Sequence, residues 1–213
     1  MRHRTAALIS VEGIDGAGKN TLVSAVEQQL EQQGLRVGRL SFPAYRKTLF
    51  ADLADDALHG RLGDVPNSAW AMALLFALDR RDMAGEIAHY LEAYDVVLCD
   101  RYVASNAAYS WARTSDRNIV DFIGELEFDQ FGLPVPQLQI YLDVSADLAA
   151  YRAMSREQQD RSRTRDAYER DSSLQQATSE AYRALCAMSW RSPWYRCDGD
   201  VAATCRKITS VIG

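Results

Sequence analysis

Apolar residues recur in short continuous runs, separated by longer segments with a single apolar face. Ala6-Ala7-Leu8-Ile9-Ser10-Val11, Val37 to Phe42, Asp95-Val96-Val97-Leu98-Cys99-Asp100 and Leu138-Gln139-Ile140-Tyr141-Leu142 are such runs. Runs of this kind suit strands of a parallel sheet covered on both faces. Trp194 to Cys197 is a shorter candidate. Between them, Lys19 to Gln33 sets Leu22, Val23, Val26 and Leu30 on one side and meets a stop at Gly34. Further helices are predicted over Asp52–Leu58, Ser68–Leu91, Val103–Trp111, Asn118–Phe128, after Ser145, Leu174–Trp190 and Asp200–Ile212. Pro43, the stretch Gly60 to Pro66, and the pair Pro134 and Pro136 interrupt the pattern as breaks or loops. Strands alternating with helices predict an α/β fold, a parallel sheet of about five strands with helices on both faces. In such sheets ligands bind beyond the carboxyl ends of the strands.

Composition narrows the class. A chain of 213 residues reads as one domain able to bury a core without disulfide or metal staples. The formal net charge of −5 argues against duplex binding by bulk electrostatics, so no nucleic-acid partner is expected. Cys99, Cys186, Cys197 and Cys205 form no C-x-x-C pair and read as thiols of a reducing compartment. The basic start Met1-Arg2-His3-Arg4-Thr5 precedes an apolar run that ends at Glu12, too short for a secretory signal. No stretch approaches the roughly 20 apolar residues of a membrane helix. The expected location is cytoplasmic.

Gly13-Ile14-Asp15-Gly16-Ala17-Gly18-Lys19 follows the first strand and opens the first helix. That is the context a phosphate-binding loop requires, and it makes the sheet that of a three-layer P-loop NTPase fold. Glycines let backbone N–H groups curl around phosphate oxygens, and the helix N-terminus adds positive potential. Gly13, Asp15, Gly16, Ala17, Gly18, Lys19, Asn20 and Thr21 are the expected ATP-binding residues. The usual loop has Ser or Thr after its lysine to meet magnesium; here Asn20 stands there and Thr21 follows. Asp100 closes the third strand, a pattern that supplies the second half of a nucleotide-and-magnesium site. A GTP switch would carry an Asn-Lys-x-Asp guanine reader. The residues two places after Lys19, Lys47 and Lys207 are Thr21, Leu49 and Thr209, so that reader is absent. A partner-driven ATPase stays open on these residues alone.

Arg152, Arg156, Arg161, Arg163, Arg165 and Arg170 lie in one polar segment with Glu157, Asp160, Asp166 and Glu169. By composition it is a solvated charged loop. In a kinase the same segment would serve as a lid, over about 152–166, that closes cations over the transferring phosphates and excludes water. Phe76 and Arg80 are four apart and share a helix face, as do Asn106 and Tyr109, three apart. Phe76 and Arg80 read either as core and surface, or as a ring for stacking on a base beside a donor for its carbonyl.

Phe42-Pro43, Asp100-Arg101-Tyr102, Ala104-Ser105-Asn106-Ala107-Ala108-Tyr109 and the phosphate loop, in that order and spacing, resemble the thymidylate kinase family, most closely its actinobacterial branch. The resemblance runs from about residue 7 to about residue 190. It implies transfer of the γ-phosphoryl group of ATP to dTMP, with Mg2+, in a homodimer. It implies Asp15 near the acceptor sugar and metal, Phe42 and Tyr45 beside the acceptor, with Tyr45 at its phosphate, and Arg101 gripping that phosphate. By the same likeness Phe76, Arg80 and Asn106 hold thymine and Tyr109 lies beneath the deoxyribose. Asp166, Tyr168 and Glu169 flank the lid near sugar and metal. The implied metal residues are Asp15, Asp100 and Glu169; the implied catalytic set is Lys19, Arg101 and Asp15 with the lid arginines Arg156 and Arg163. Some relatives carry a cation inside the loop where this chain has Gly16, which leaves the transition-state charge to the lid. Another nucleoside monophosphate or deoxynucleoside kinase, or a nucleotide-binding protein without activity, are the alternatives on the same scaffold.

Overall fold

The computed structural model describes residues 6–159 and 166–212. In chain order it runs β1 (Ala7–Glu12), α1 (Lys19–Gln32), β2 (Val37–Ser41), α2 (Leu49–Leu58), α3 (Ala69–Asp82), α4 (Ala84–Ala93), β3 (Val96–Asp100), α5 (Val103–Thr114), α6 (Asn118–Gly124), β4 (Leu138–Leu142), α7 (Ala146–Gln159), α8 (Ala167–Arg170), α9 (Ser172–Ala187), β5 (Trp194–Cys197) and α10 (Val201–Ile212). The five strands form one parallel sheet in the order β2-β3-β1-β4-β5. β1 is its centre: Ile9 lies opposite Leu98 of β3 on one side and Leu138 of β4 on the other. Leu8, Ile9, Val97, Leu98 and Ile140 are buried, as continuous apolar runs in a doubly covered sheet require.

Alternation along β2 shows both layers. Arg39 reaches Ser24 of α1 at 2.9 Å, while Gly38 faces Tyr90 of α4 and the adjoining Tyr94. A Cβ on Gly38 would lie 2.6 Å from the Tyr94 ring, so glycine is what lets this helix settle on the strand. Thr48 and Ser68 cap α2 and α3, each accepting from a backbone N–H three residues on.

The structure corrects the sequence pattern in two places. The predicted helix Ser68–Leu91 is two helices that meet at Met83. Met83 and Ile87 of α4 are both buried in the core, and α4 packs on β2 and β3. The predicted helix Asn118–Phe128 keeps α pitch only to Gly124 and then widens into a π-helical turn, Glu125–Gln130. The wider turn carries both Glu127 and Phe128 into the interior. No described helix is long and apolar enough to cross a membrane.

Gly38→Ala should overpack the interface between β2 and α4. The expected cost is about 1–3 kcal/mol, or roughly 2–12 °C in Tm for a domain of this size. A thermal melt reads it, and an unchanged Tm would contradict this packing.

Candidate active site

The phosphate loop joins β1 to α1. Gly16 and Gly18 have φ of 81° and 102°, in the left-handed region, and a Cβ on Gly16 would meet the Ala149 carbonyl of α7 at 2.1 Å. Only glycine fits that approach. Lys19 is buried and donates from Nζ to the carbonyls of Gly13 and Ile14, both at 2.9 Å. Burial and the charge of Arg101 pull its pKa down to about 8, against the opposing pull of Asp15, Asp100 and Glu12. Arg152 of α7 donates from Nη1 to the Ala17 carbonyl at 2.8 Å, so the helix entering the arginine-rich segment already leans on the loop. A cleft on this side is lined by Gly16, Ala17, Gly18, Thr21, Tyr151, Arg152 and Gly199.

Arg101 follows β3 with φ of 67°, turning its guanidinium back under the loop. Nη2 donates to Asp15 Oδ1 at 2.5 Å, and Nη1 donates to the Gly13 carbonyl at 3.0 Å and to the hydroxyls of Ser105 and Tyr182 at 3.3 and 3.4 Å. Asp15 also accepts from the Tyr109 hydroxyl at 2.5 Å and Gln175 Nε2 at 3.1 Å. Burial alone would raise the Asp15 pKa, but Arg101, Lys19 and these hydrogen bonds outweigh it and hold it at about 2. Glu12 lies deeper. Its Oε2 accepts from Ser105 at 2.7 Å, Oε1 has no partner, and burial raises its pKa.

A second cleft opens from Arg101. Asp15 comes to it from the loop, Phe42 and Tyr45 from the segment after β2, Phe76 and Arg80 from α3, Asn106 and Tyr109 from α5, and Asp166 and Tyr168 from the approach to α9. Nearly all the acceptor residues expected from the sequence are therefore brought together. Asp79 holds the Tyr45 segment, accepting from the Ala44 N–H at 3.0 Å and the Thr48 hydroxyl at 2.5 Å. Tyr109 and Tyr168 stack with centroids 6.0 Å apart. Arg113 lies 5.0 Å over the Tyr168 ring, donates to its hydroxyl, and donates to the Pro66 carbonyl at 2.5 Å.

Three of the expected residues behave differently. Glu169 does not line this cleft. Asp100 faces Arg39 at 4.0 Å. Among the described residues no three of His, Cys, Asp and Glu come together in a cluster that could hold a metal. The two oxygens of Asp15 accept from Arg101, Tyr109 and Gln175. Arg163, with the rest of 160–165, lies outside the described residues, and so does the side chain of Arg156 on α7. Sequence reasoning missed Glu12, Gln175, Tyr182, Arg113 and Glu127. Gln175 and Tyr182, seven apart on one face of α9, carried a usable helical signal; Glu127 carried only its place between Leu126 and Phe128.

The model of the family described as thymidylate kinase matches residues 11–190. A thymidylate kinase of Mycobacterium tuberculosis (strain H37Rv) is 46% identical over 197 residues, 91% of this chain and 92% of the relative. A thymidylate kinase of Akkermansia muciniphila is 35% identical over 215 residues, 98% of this chain and 93% of the relative. One from Shouchella clausii is 33% identical over 146 residues, 68% and 66% of the two chains. With the parallel sheet, the phosphate loop and the cleft beside it, these matches establish that the chain belongs to the thymidylate kinase family.

Proposed function

We propose that this chain transfers the γ-phosphoryl group of ATP to the phosphate of dTMP, yielding dTDP and ADP on the route to dTTP. The observation that carries this reading is the position of Arg101. Its guanidinium touches the phosphate loop at Gly13 and Asp15 and also lines the second cleft. A phosphate gripped there lies next to the phosphates of a nucleotide on the loop, as in-line transfer between two phosphates demands.

ATP occupies the cleft of Gly16, Ala17, Gly18, Thr21 and Arg152, with its phosphates against the loop N–H groups and Lys19. Lys19 and Arg101 supply fixed positive charge where negative charge develops, without reorganisation at the moment of transfer. Arg152, already on the Ala17 carbonyl, and the lid arginines Arg156 and Arg163 supply further positive charge to the transferring phosphates. In the acceptor cleft Phe76 stacks on thymine, while Arg80 and Asn106 meet its polar edge. Tyr109, fixed by Asp15 and by stacking on Tyr168, forms the floor under the deoxyribose.

Mg2+ fits this arrangement as an ion held largely by substrate. Mg2+ takes oxygen ligands and typically only one or two carboxylates, with substrate phosphates and water completing its shell. Asp15, kept ionised, borders the acceptor cleft, and Asp100 is close enough to Lys19 to raise its proton affinity. Either carboxylate would hold the ion, with Asn20 or Thr21 contributing oxygen. When bound it neutralises charge between donor and acceptor phosphates. Trp70 and Leu74 of α3 are each 42% exposed, and Trp70 packs at 5.1 Å on Phe122 of α6. This apolar face supports pairing of two copies as a homodimer.

A panel of acceptors tests the reading: ADP formation from ATP and Mg2+ should be fastest with dTMP, ahead of dCMP, AMP, GMP and thymidine. Faster turnover of AMP or thymidine would overturn it. Lys19 gives a pH signature. Since the free enzyme holds its pKa at about 8, kcat/KM for ATP should fall above that pH by about tenfold per unit. The kcat limb should lie higher, because bound phosphates retain the proton. Unfolding does not mimic this limb: the folded pKa lies below the 10.5 of a free lysine, so the unfolded chain binds more protons between the two values and the Lys19 contribution to stability rises there with pH. A kcat/KM profile flat through pH 9 would remove Lys19 from the phosphates.

A further inference from the structure

Glu127 has no place in the function so far, yet it is fully buried beside two residues proposed to read the base. The π-helical turn carries it beneath the acceptor cleft. Its Oε2 accepts from Arg80 Nε at 2.5 Å. Its Oε1 accepts from Arg80 Nη2 at 2.7 Å and from Asn106 Nδ2 at 2.9 Å. The second hydrogen on Asn106 Nδ2 goes to the Ala73 carbonyl at 3.0 Å.

These contacts fix the direction of the Asn106 amide. An amide nitrogen has two hydrogens, and here each faces an oxygen that cannot donate, one a carboxylate and one a backbone carbonyl. A flipped amide would lose both bonds and set oxygen against oxygen. The group left for a ligand is Oδ1, whose one contact is a long bond from the Ser110 hydroxyl at 3.4 Å. Arg80 is constrained by the same carboxylate: Nε and Nη2 are engaged, and Nη1 remains with donors only. Both residues line the cleft, so it presents an acceptor from Asn106 and donors from Arg80.

We propose that Glu127 is a positioning residue that sets acceptor specificity, by holding Asn106 as an acceptor and Arg80 as a donor toward the base. This inference rests on the reading that Arg80 and Asn106 meet the base. A thymine edge offers a ring N–H beside a carbonyl oxygen and matches both. A cytosine edge offers a bare ring nitrogen beside an amino group and opposes both. A buried edge of fixed polarity rejects the mismatched base far more strongly than shape alone, because unpaired polar groups stay desolvated.

The test compares dTMP with 5-methyl-dCMP, which keeps the methyl group and changes only this edge. In Glu127→Gln the NH2 group faces either Arg80 Nε or the pair Arg80 Nη2 and Asn106 Nδ2, so at least one donor is opposed by a donor, the carboxylate charge is lost, and the hold on Arg80 and Asn106 loosens. The ratio of kcat/KM for dTMP over 5-methyl-dCMP should narrow by at least about tenfold, chiefly through KM. If residue 127 only keeps the fold intact, both acceptors weaken alike and the ratio stays at the wild-type value, which would overturn the proposal. Glu127→Asp is the second variant, should Glu127→Gln fail to fold. It keeps a charge against Arg80 but is one methylene shorter, and it too should narrow the ratio; an unchanged ratio in the folded Asp variant is contrary evidence of the same weight. A wild-type enzyme with no preference for dTMP would sink the base-reading assignment first and this inference with it, whereas a strong wild-type preference retained in both variants sinks the Glu127 role alone.

Discussion

The ion pair between Arg101 and Asp15 is the constraint on which the site depends. Both groups are largely removed from water, with side-chain exposures of 14% and 23%. Burying two charges costs several kcal/mol unless nearly every hydrogen-bonding position is filled. Here the surrounding elements fill them. Gly13 of the loop, Ser105 and Tyr109 of α5 and Gln175 and Tyr182 of α9 all bond to one member or the other. The pair thus fastens two helices and the phosphate loop to the end of the central strands. It also keeps a guanidinium oriented at the mouth of the second cleft, where the proposed reading puts the acceptor phosphate.

The parallel sheet explains why these residues meet. β1 and β3 are neighbours, so the loop after β1 and Arg101 after β3 emerge side by side. β2 flanks β3 and delivers Phe42 and Tyr45 to the same edge, while β4 leads into α7, whose Ala149 and Arg152 lean on the loop from the other side. The two clefts consequently share a wall made of the phosphate loop, with Asp15 on one and Gly16, Ala17 and Gly18 on the other.

Much of this was legible in the sequence, and the limits are instructive. The strands could be read because each is an uninterrupted apolar run between turn residues, and β4 and β5 fall where the pattern puts them. Lys19, Arg101 and Tyr109 follow strand ends or share helix faces, so local spacing pointed to them. The break at Met83 could not be read, because apolar spacing continues through it and no proline marks it. The partners of the site were equally hidden. Glu12 looks like the end of a strand, Gln175 like a polar helix position and Glu127 like one more surface acid, until tertiary structure sets each against a buried donor. The contacts of Asp15 were hidden in the same way, since sequence does not show that it accepts from Arg101, Tyr109 and Gln175.

Binding of dTMP to Arg101→Gln, followed by calorimetry beside binding of ATP, tests the central claim most directly. A charge-assisted grip on phosphate contributes about 1.5–3 kcal/mol, so dTMP affinity should fall by roughly tenfold to a hundredfold. ATP affinity should fall less than dTMP affinity, because on the proposed reading Arg101 supports the loop but Lys19 and the loop N–H groups make the contacts to the donor phosphates. Undiminished dTMP affinity in a folded Arg101→Gln protein would mean that Arg101 is a strut for Asp15 and that the acceptor phosphate is held elsewhere.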